Sequence, residues 1–182
     1  DYATVDWLTN GRVVFGVGRG YHTREVEAFG APMLDQDANR ELFEEQVEII
    51  TKQGGEAYAY ACDLSDMEDI DRMGKQVLAD FGRVDVLVNN AGRSIRRAVM
   101  ESLDRFHDYE RTMQLNYFGC VRLINVLLPA MVTQKGGQII NISSIGCLTN
   151  APRFAAYVAS KSALDAISRS LSSDVTKDNI DI

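Results

Sequence analysis

The chain has 182 residues, of which 46% are hydrophobic and 25% charged, so it is long enough for one globular domain with a substantial core. Its 19 basic and 26 acidic residues give a formal net charge of −7, which argues against nucleic acid as the main partner because no basic stripe can neutralise phosphates. Three widely spaced cysteines, no cluster of metal-ligating side chains and no apolar run long enough to span a bilayer lead us to expect a cytoplasmic protein without a metal site, a disulfide framework or a transmembrane segment.

The first third of the chain predicts one strand and two helices around a glycine-rich turn. Residues 3–8 fit a short helix, and the apolar run at 12–16 predicts a buried strand. Glycines alternate at 16–20, where we expect a turn. Helical periodicity then runs over 37–52 until Gly54-Gly55 ends it.

Strands and helices alternate along the rest of the chain, which predicts an α/β protein: a Rossmann-like three-layer sandwich with a parallel sheet. Right-handed crossovers predict the strand order 57–62, 12–16, 84–88, 138–142. The strand order reverses between the second and third of these, and ligands bind at the carboxyl ends of such strands. The remaining predicted elements are a helix at 67–81 capped by Ser65, a break at 97–102, a long helix at 103–132, a helix at 155–175 and the start of a fifth strand at 179–182.

Tyr157 and Lys161 form a candidate proton-transfer pair. Four residues apart on a helix, they lie on one face, one turn from each other. An ammonium group beside a phenol favours the phenolate and lowers the phenol pKa from about 10 toward neutrality. Ser144 follows the strand at 138–142 and offers a hydroxyl to the same substrate oxygen. The pair alone also fits a solvated helix face with a tyrosine at its margin, so other motifs must support it.

Four features support it, in a fixed order along the chain. Asp63-Leu64 follows one predicted strand, Asn89-Asn90-Ala91-Gly92 follows the next, Asn116 lies in the long helix, and the Ser144, Tyr157 and Lys161 group comes last. With these motifs, residues 51–182 resemble a short-chain dehydrogenase/reductase truncated at both ends. The stretch from Asn89 to Lys161 is further similar to a branch of that family that resembles fatty-acyl-CoA reductases.

The resemblance implies that NAD or NADP transfers a hydride to or from a small carbonyl or alcohol substrate, with a fatty acyl group as one candidate. It implies Tyr157 as the proton donor or acceptor, Lys161 as the group that tunes its pKa and binds the nicotinamide ribose, and Ser144 as the partner of the substrate oxygen. Asn116 would hold a water in a proton relay. The implied cofactor-binding residues are Asp63, Leu64, Asn90, Ala91, Gly92, Tyr157 and Lys161.

Simpler interpretations of three motifs stay open. The Asn89–Gly92 segment also fits a strand-ending turn, Asp63 a helix-entry residue, and Asn116 a buried polar side chain that satisfies backbone groups. A serine hydrolase is disfavoured because no Gly-x-Ser-x-Gly turn surrounds Ser143 or Ser144.

The start of the chain departs from the resembled family. The glycines at 16–20 do not have the spacing of the family's phosphate-binding turn, and residues 1–50 resemble a fragment of a luciferase-like monooxygenase. We therefore expect residues 1–50 to supply one strand and a helix to a core at 51–182, the whole forming one compact unit in which strand 12–16 replaces the family's first strand. Because the family pattern is incomplete, the alternative function is an inactive chimeric or truncated remnant. Such a remnant could form homo-oligomers through the helices at 103–131 and 155–175.

Overall fold

The computed structural model describes residues 13–15 and 36–182, with side chains described from residue 44 onward. These residues fall into two compact units: 13–15 with Cys62–Ile182, and 36–61. The helix predicted at 3–8 and the glycine-rich turn at 16–20 lie outside the described residues. The domain boundary placed at residue 50 stays a prediction.

Regular structure in the described residues follows the predicted alternation of strands and helices closely. Helices predicted at 67–81 and 155–175 have those bounds, and the long helix has a more complex form because it contains a π-helical turn. In chain order the elements are β1 (Val13–Phe15), α1 (Gln36–Lys52), α2 (Met67–Phe81), β2 (Val86–Asn89), a 3-10 helix (Val99–Glu101), α3 (His107–Met113), the π turn (Gln114–Gly119), α4 (Cys120–Gln134), β3 (Gly137–Asn141), α5 (Gly146–Thr149), α6 (Ala155–Val175), a second 3-10 helix (Thr176–Asp178) and β4 (Ile180–Asp181).

The four described strands form one parallel sheet in the order β1, β2, β3, β4. Val14 pairs with Leu87, and Leu87 pairs with Ile139, so the predicted neighbours 12–16, 84–88 and 138–142 are confirmed. The strand expected at 179–182 is confirmed as β4, which pairs with β3. The α/β class with a parallel sheet is therefore confirmed, and the polar segments after β2 and β3 leave the sheet at the same edge.

The strand predicted at 57–62 is wrong. Residues 56–63 have no regular secondary structure, and β1 pairs with β2 alone among the strands that the structure describes. The alternation of alanine and tyrosine there suggested a strand, but Tyr58 is 61% exposed and its neighbour Ala59 is exposed too. An alternating pattern stabilises a strand only where one face is buried and a partner strand accepts its hydrogen bonds.

The core of the larger unit lies between the sheet and the helices α2, α4 and α6. Gly74 of α2 lies so close to α4 that an added β-carbon would be 2.6 Å from Val126 Cγ1. Apolar side chains that are at most 2% exposed form this core: Ile70, Val77, Val84, Leu87, Ile124, Leu127, Met131, Ile139, Leu164 and Ile180.

The continuous helix His107–Gln134 is the one helix in the described residues that is long and apolar enough to cross a membrane, with a mean hydropathy of 1.5. It contains Pro129, and its apolar side chains Leu127 and Met131 are buried within the protein core. This is the packing of a core helix, and core helices can be as long and as apolar as helices that cross a membrane. The absence of a transmembrane segment and the cytoplasmic location stay predictions.

Helix α2 is capped by Asp66 and not by the predicted Ser65. The Asp66 carboxylate accepts hydrogen bonds from the backbone N–H groups of Glu68 (2.9 Å) and Asp69 (3.3 Å). At the other end Gly82 adopts φ 73°, a left-handed conformation that ends the helix at the predicted glycine.

We predict that Asp66→Ala lowers the free energy of unfolding by about 1 kcal/mol, because two N–H groups at the helix start lose their acceptor. Urea denaturation of the purified chain measures the change. Ser65→Ala is the matched control and should change the free energy of unfolding by much less. Equal losses in the two variants would contradict the assignment of Asp66 as the cap.

Candidate active site

Lys161 is buried beneath the carboxyl edge of the sheet. Its side chain extends from the second turn of α6, is only 3% exposed, and donates a hydrogen bond from Nζ to the carbonyl oxygen of Ile142 at 2.7 Å. Ile142 directly follows β3, so this bond ties α6 to the end of that strand. Burial lowers the pKa of the Lys161 ammonium from its ordinary value, because the charged form has lost much of its hydration.

Asn116 is completely buried in the π turn and its carboxamide makes three hydrogen bonds. Oδ1 accepts from the backbone N–H of Arg93 at 2.7 Å, and Nδ2 donates to the carbonyl of Arg93 at 2.8 Å and to Ser160 Oγ at 2.9 Å. Both amide hydrogens are therefore used by protein groups. The structure shows the backbone-satisfying role for this side chain, and the water-relay role stays a prediction.

Gly92 brings these two residues together. A β-carbon added at Gly92 would lie 3.3 Å from Lys161 Nζ and 3.4 Å from Asn116 Oδ1, so the chain after β2 passes directly over both groups. Just before it, Ala91 is 8% exposed, and the Asn90 N–H donates to the carbonyl of Val88 at 3.2 Å. The segment Asn90–Gly92, which is predicted to line the cofactor site, thus lies against two of the predicted catalytic residues.

Ser144 and Tyr157 lie on the two segments that Lys161 joins. Ser144 comes two residues after Ile142, and its Oγ accepts a hydrogen bond from the Gly146 N–H at 3.1 Å. Tyr157 is half-buried on the first turn of α6, and its ring packs edge-on against Phe154 with 6.4 Å between ring centroids. One helical turn separates Tyr157 from Lys161, as the spacing predicted. Their catalytic roles stay predictions.

Asp63 and Leu64 form a turn on the other side of the π turn. Asp63 Oδ1 accepts from the Ser65 N–H at 2.8 Å, which fixes the orientation of this exposed carboxylate. A β-carbon on Gly119 of the π turn would lie 2.3 Å from the Leu64 carbonyl oxygen, so the two backbones are in direct contact. The π turn therefore lies between the Asp63-Leu64 turn and the Gly92 segment.

Contacts that no sequence pattern predicted join two loops at this edge, one at 97–101 and one around Arg153. The Arg97 N–H donates to the carbonyl of Arg153 at 2.7 Å, and the Arg153 guanidinium pairs with Glu101 at 3.3 Å. Arg153 itself has φ 71°, a left-handed conformation that is rare outside glycine. These partners are more than 50 residues apart in sequence, and no local sequence pattern predicts contacts over such a separation.

A second missed feature is the buried carboxylate of Asp108, whose side chain is 7% exposed and lies among two arginines and a histidine. Arg97 and Arg105 both donate Nε–H to its Oδ2, at 3.0 and 3.1 Å, and His107 Nε2 lies 3.3 Å from its Oδ1. Burial alone would raise the pKa of Asp108, but the two arginines outweigh it and hold that pKa below its usual value. The three-residue spacing of Arg105 and Asp108 was the one available sequence signal.

Two cysteines near the site have raised pKa values. Burial raises the pKa of Cys62 and of Cys120 to about 11, so both are thiols at neutral pH. Within the described part of the chain, no three His, Cys, Asp or Glu side chains cluster in a way that could hold a metal ion.

Comparison with known proteins identifies the family. The profile of the short chain dehydrogenase family matches residues 15–182. A fatty acyl-CoA reductase of Acinetobacter baylyi is 58% identical over 159 residues, covering 87% of this chain and 54% of that protein. Among solved structures, an NAD⁺-bound xylitol dehydrogenase superposes with a TM-score of 0.72 and 31% identity, over 78% of this chain and 54% of that one. A metagenomic short-chain oxidoreductase in complex with NADP gives a TM-score of 0.71 and 32% identity, over 86% and 71%.

The chain therefore belongs to the short-chain dehydrogenase family of oxidoreductases, as the motifs from Asp63 to Lys161 predicted. Its solved neighbours confirm the Rossmann-like fold. It spans about half the length of the curated relatives that it matches. The family match begins at residue 15, earlier than the expected start at residue 51. The resemblance of residues 1–50 to a luciferase-like monooxygenase stays a prediction.

We predict a specific pH dependence of stability for Lys161→Met. Because burial lowers the pKa of Lys161 in the folded state below its value of 10.5 in the unfolded chain, the unfolded chain binds more protons between those two pKa values. The wild type should therefore gain stability relative to Lys161→Met as the pH rises from 7 toward 10.5. Urea unfolding of both proteins at several pH values measures the difference; a constant difference, or one that grows in favour of the variant, would contradict the prediction.

Proposed function

We propose that this chain carries the catalytic centre of an NAD(P)-dependent oxidoreductase that interconverts a carbonyl and an alcohol, with Tyr157 as the acid/base. The observation that carries the proposal is the grouping of the buried side chains of Lys161 and Asn116 against half-buried Gly92, one helical turn from Tyr157. A lysine buried at the carboxyl edge of a sheet with one hydrogen bond to a carbonyl costs stability, and such a cost is typical of a functional site.

The residues present fit a nicotinamide dinucleotide. An ammonium group has three donors, and Lys161 uses one of them on Ile142, which leaves donors for a ribose hydroxyl. Gly92 lacks the side chain that would fill the space above Lys161, so a flat ring or sugar can approach the backbone there. Bound NAD or NADP supplies or accepts the hydride. The residues that would hold it are Asp63, Leu64, Asn90, Ala91, Gly92, Tyr157 and Lys161.

The chain's own residues supply the proton and the orientation. In the reducing direction the Tyr157 hydroxyl donates its proton to the substrate oxygen as negative charge develops on it, and in the oxidising direction the phenolate takes that proton back. The Lys161 ammonium, one helical turn from Tyr157, binds the nicotinamide ribose. The Ser144 hydroxyl donates a hydrogen bond to the same substrate oxygen and fixes its position. Asn116 holds the segment that orients the other groups.

We further propose an acyl substrate, as the name of the Acinetobacter relative suggests. Two loops at the carboxyl edge carry exposed apolar side chains and are tied together by the Arg97 to Arg153 hydrogen bond. Exposed apolar side chains on loops beside a site fit an alkyl chain better than a sugar or an amino acid. We name this group the apolar rim; its members are Val99, Met100, Leu103, Phe106, Ile145 and Leu148.

Tyr157→Phe should lower turnover of a carbonyl substrate by at least about a thousandfold, because the proton donor is lost. The dissociation constant for NADH or NADPH should rise by no more than about threefold, because the variant keeps the ring of residue 157 and all the other residues that would hold the cofactor. Fluorescence titration gives the dissociation constant and absorbance at 340 nm gives turnover. Tyr109→Phe, at a half-buried tyrosine that packs on Phe106, is the control and should keep activity. Wild type without turnover but with folded structure would favour the inactive-remnant alternative, and an active Tyr157→Phe would remove Tyr157 from its role.

Leu148→Ser and Phe106→Ser should raise KM for a long-chain acyl substrate by about tenfold each and leave KM for a short-chain substrate nearly unchanged, because an apolar contact of that size contributes about 1.5 kcal/mol or more. Steady-state kinetics over a series of chain lengths measures this. The control is Val132→Ser: Val132 is also exposed, but it lies in the last turn of α4, at the amino edge of the sheet. KM values that rise equally for all chain lengths would contradict an acyl site at the rim.

A further inference from the structure

The π turn holds the Leu64 backbone at a distance that permits only glycine at position 119. A β-carbon added at Gly119 would be 2.3 Å from the Leu64 carbonyl oxygen and 3.4 Å from its carbonyl carbon. Non-bonded heavy atoms are most stable at about 3.5–4.0 Å, so even an alanine would displace one of the two backbones by roughly 1 Å. Gly119 is buried, and the obstacle is a backbone carbonyl and not the movable end of a side chain.

A second contact from the π turn binds Ser65, the residue after Leu64. Gln114 Nε2 donates a hydrogen bond to the Ser65 carbonyl at 3.0 Å. The Ser65 N–H in turn donates to Asp63 Oδ1 at 2.8 Å. The π turn therefore positions two successive carbonyl groups, one by close packing and one by a hydrogen bond, and the position of the Asp63 carboxylate follows from theirs.

The opposite side of the π turn faces the catalytic lysine. Asn116 is bonded to the Arg93 backbone and to Ser160, next to Lys161 in sequence. A single six-residue turn thus sets the spacing between the Asp63-Leu64 turn and the Gly92 segment. Both segments belong to the proposed cofactor site, and the family resemblance implies that the Asp63-Leu64 turn lies against the adenine while the Gly92 segment lines the floor of that site.

We infer that Gly119 and Gln114 are positioning residues for the adenosine half of the cofactor: they fix the Asp63–Ser65 turn at the distance from the Gly92 segment that a bound dinucleotide requires. The inference rests on the proposed cofactor use. Neither Gly119 nor Gln114 touches the reacting atoms that the proposed function concerns. Both residues should therefore affect binding of the adenosine half alone.

The test is Gly119→Ala against Gly74→Ala in the full chain, with 5′-AMP and NADH as probes. Gly74 is the matched control because it is also a buried glycine at a close helix contact, but its added β-carbon would meet a methyl group of Val126 and not a backbone carbonyl, and it lies away from the Asp63–Ser65 turn. We expect Gly119→Ala to raise the dissociation constants of 5′-AMP and NADH by about tenfold, as the loss of one well-placed interaction does. Gly74→Ala should leave both within about twofold, even though both variants lose stability.

Gln114→Ala and Gln114→Glu separate the hydrogen bond from packing. Glutamate has nearly the same size but no N–H to donate to Ser65, so both variants should raise the 5′-AMP dissociation constant by a similar few-fold factor. At saturating NADH all these variants should keep kcat within about threefold of the wild type, because the proton-transfer groups are unchanged.

Three results would overturn the inference: unchanged 5′-AMP affinity in Gly119→Ala, equal losses in Gly119→Ala and Gly74→Ala, or an effect confined to kcat. Absence of 5′-AMP binding by the wild type would overturn it as well, while turnover by that same protein would leave the proposed function standing. Conversely, binding of 5′-AMP that depends on Gly119 in a chain without turnover would support the inference and contradict the proposed function.

Discussion

The hydrogen bonds of the Asn116 carboxamide are the interaction on which the candidate site depends. They satisfy both backbone groups of half-buried Arg93 and bind the hydroxyl of Ser160, which is completely buried like Asn116 itself. A buried polar group left without a partner costs about 1–3 kcal/mol, so the three segments are far more stable together than apart. Gly92 precedes Arg93 and Lys161 follows Ser160, and one amide therefore determines where the Gly92 segment and the Lys161 ammonium meet.

Burial of the Lys161 ammonium lowers the stability of the fold but strengthens the interactions that this cation can make. The ammonium group has lost most of its hydration and has one carbonyl, that of Ile142, in return. A cation in this setting destabilises the fold, yet it interacts strongly with any phenolate or ribose hydroxyl nearby because little water screens it. The surrounding core, with Leu164 of the same helix completely buried, offsets that cost.

Sequence predicted those parts of the fold that local pattern decides. Continuous apolar runs identified β1, β2 and β3, and helical periodicity with Gly82 as a stop identified α2. The strand predicted at 57–62 was wrong, because an alternating pattern indicates two different faces of a segment but does not show whether a partner strand pairs with it. At the site, parallel-strand geometry predicted that the segments after β2 and β3 would leave the sheet at the same edge. The Arg97 to Arg153 bond, the cations around Asp108 and the contact of Gly119 with Leu64 depend on tertiary packing, which one sequence without homologues does not reveal.

The π turn also bears on how relatives of this chain should be aligned. A π turn arises when one residue is added to an α-helix, and each residue turns the helix by about 100°. Deleting any residue between 114 and 119 would restore an ordinary helix but rotate α3 by that angle about the axis of α4. Asp108 and Thr112, now buried, would then leave the protein interior. An alignment gap inside this helix would thus signify a different active-site architecture and not a harmless change of length.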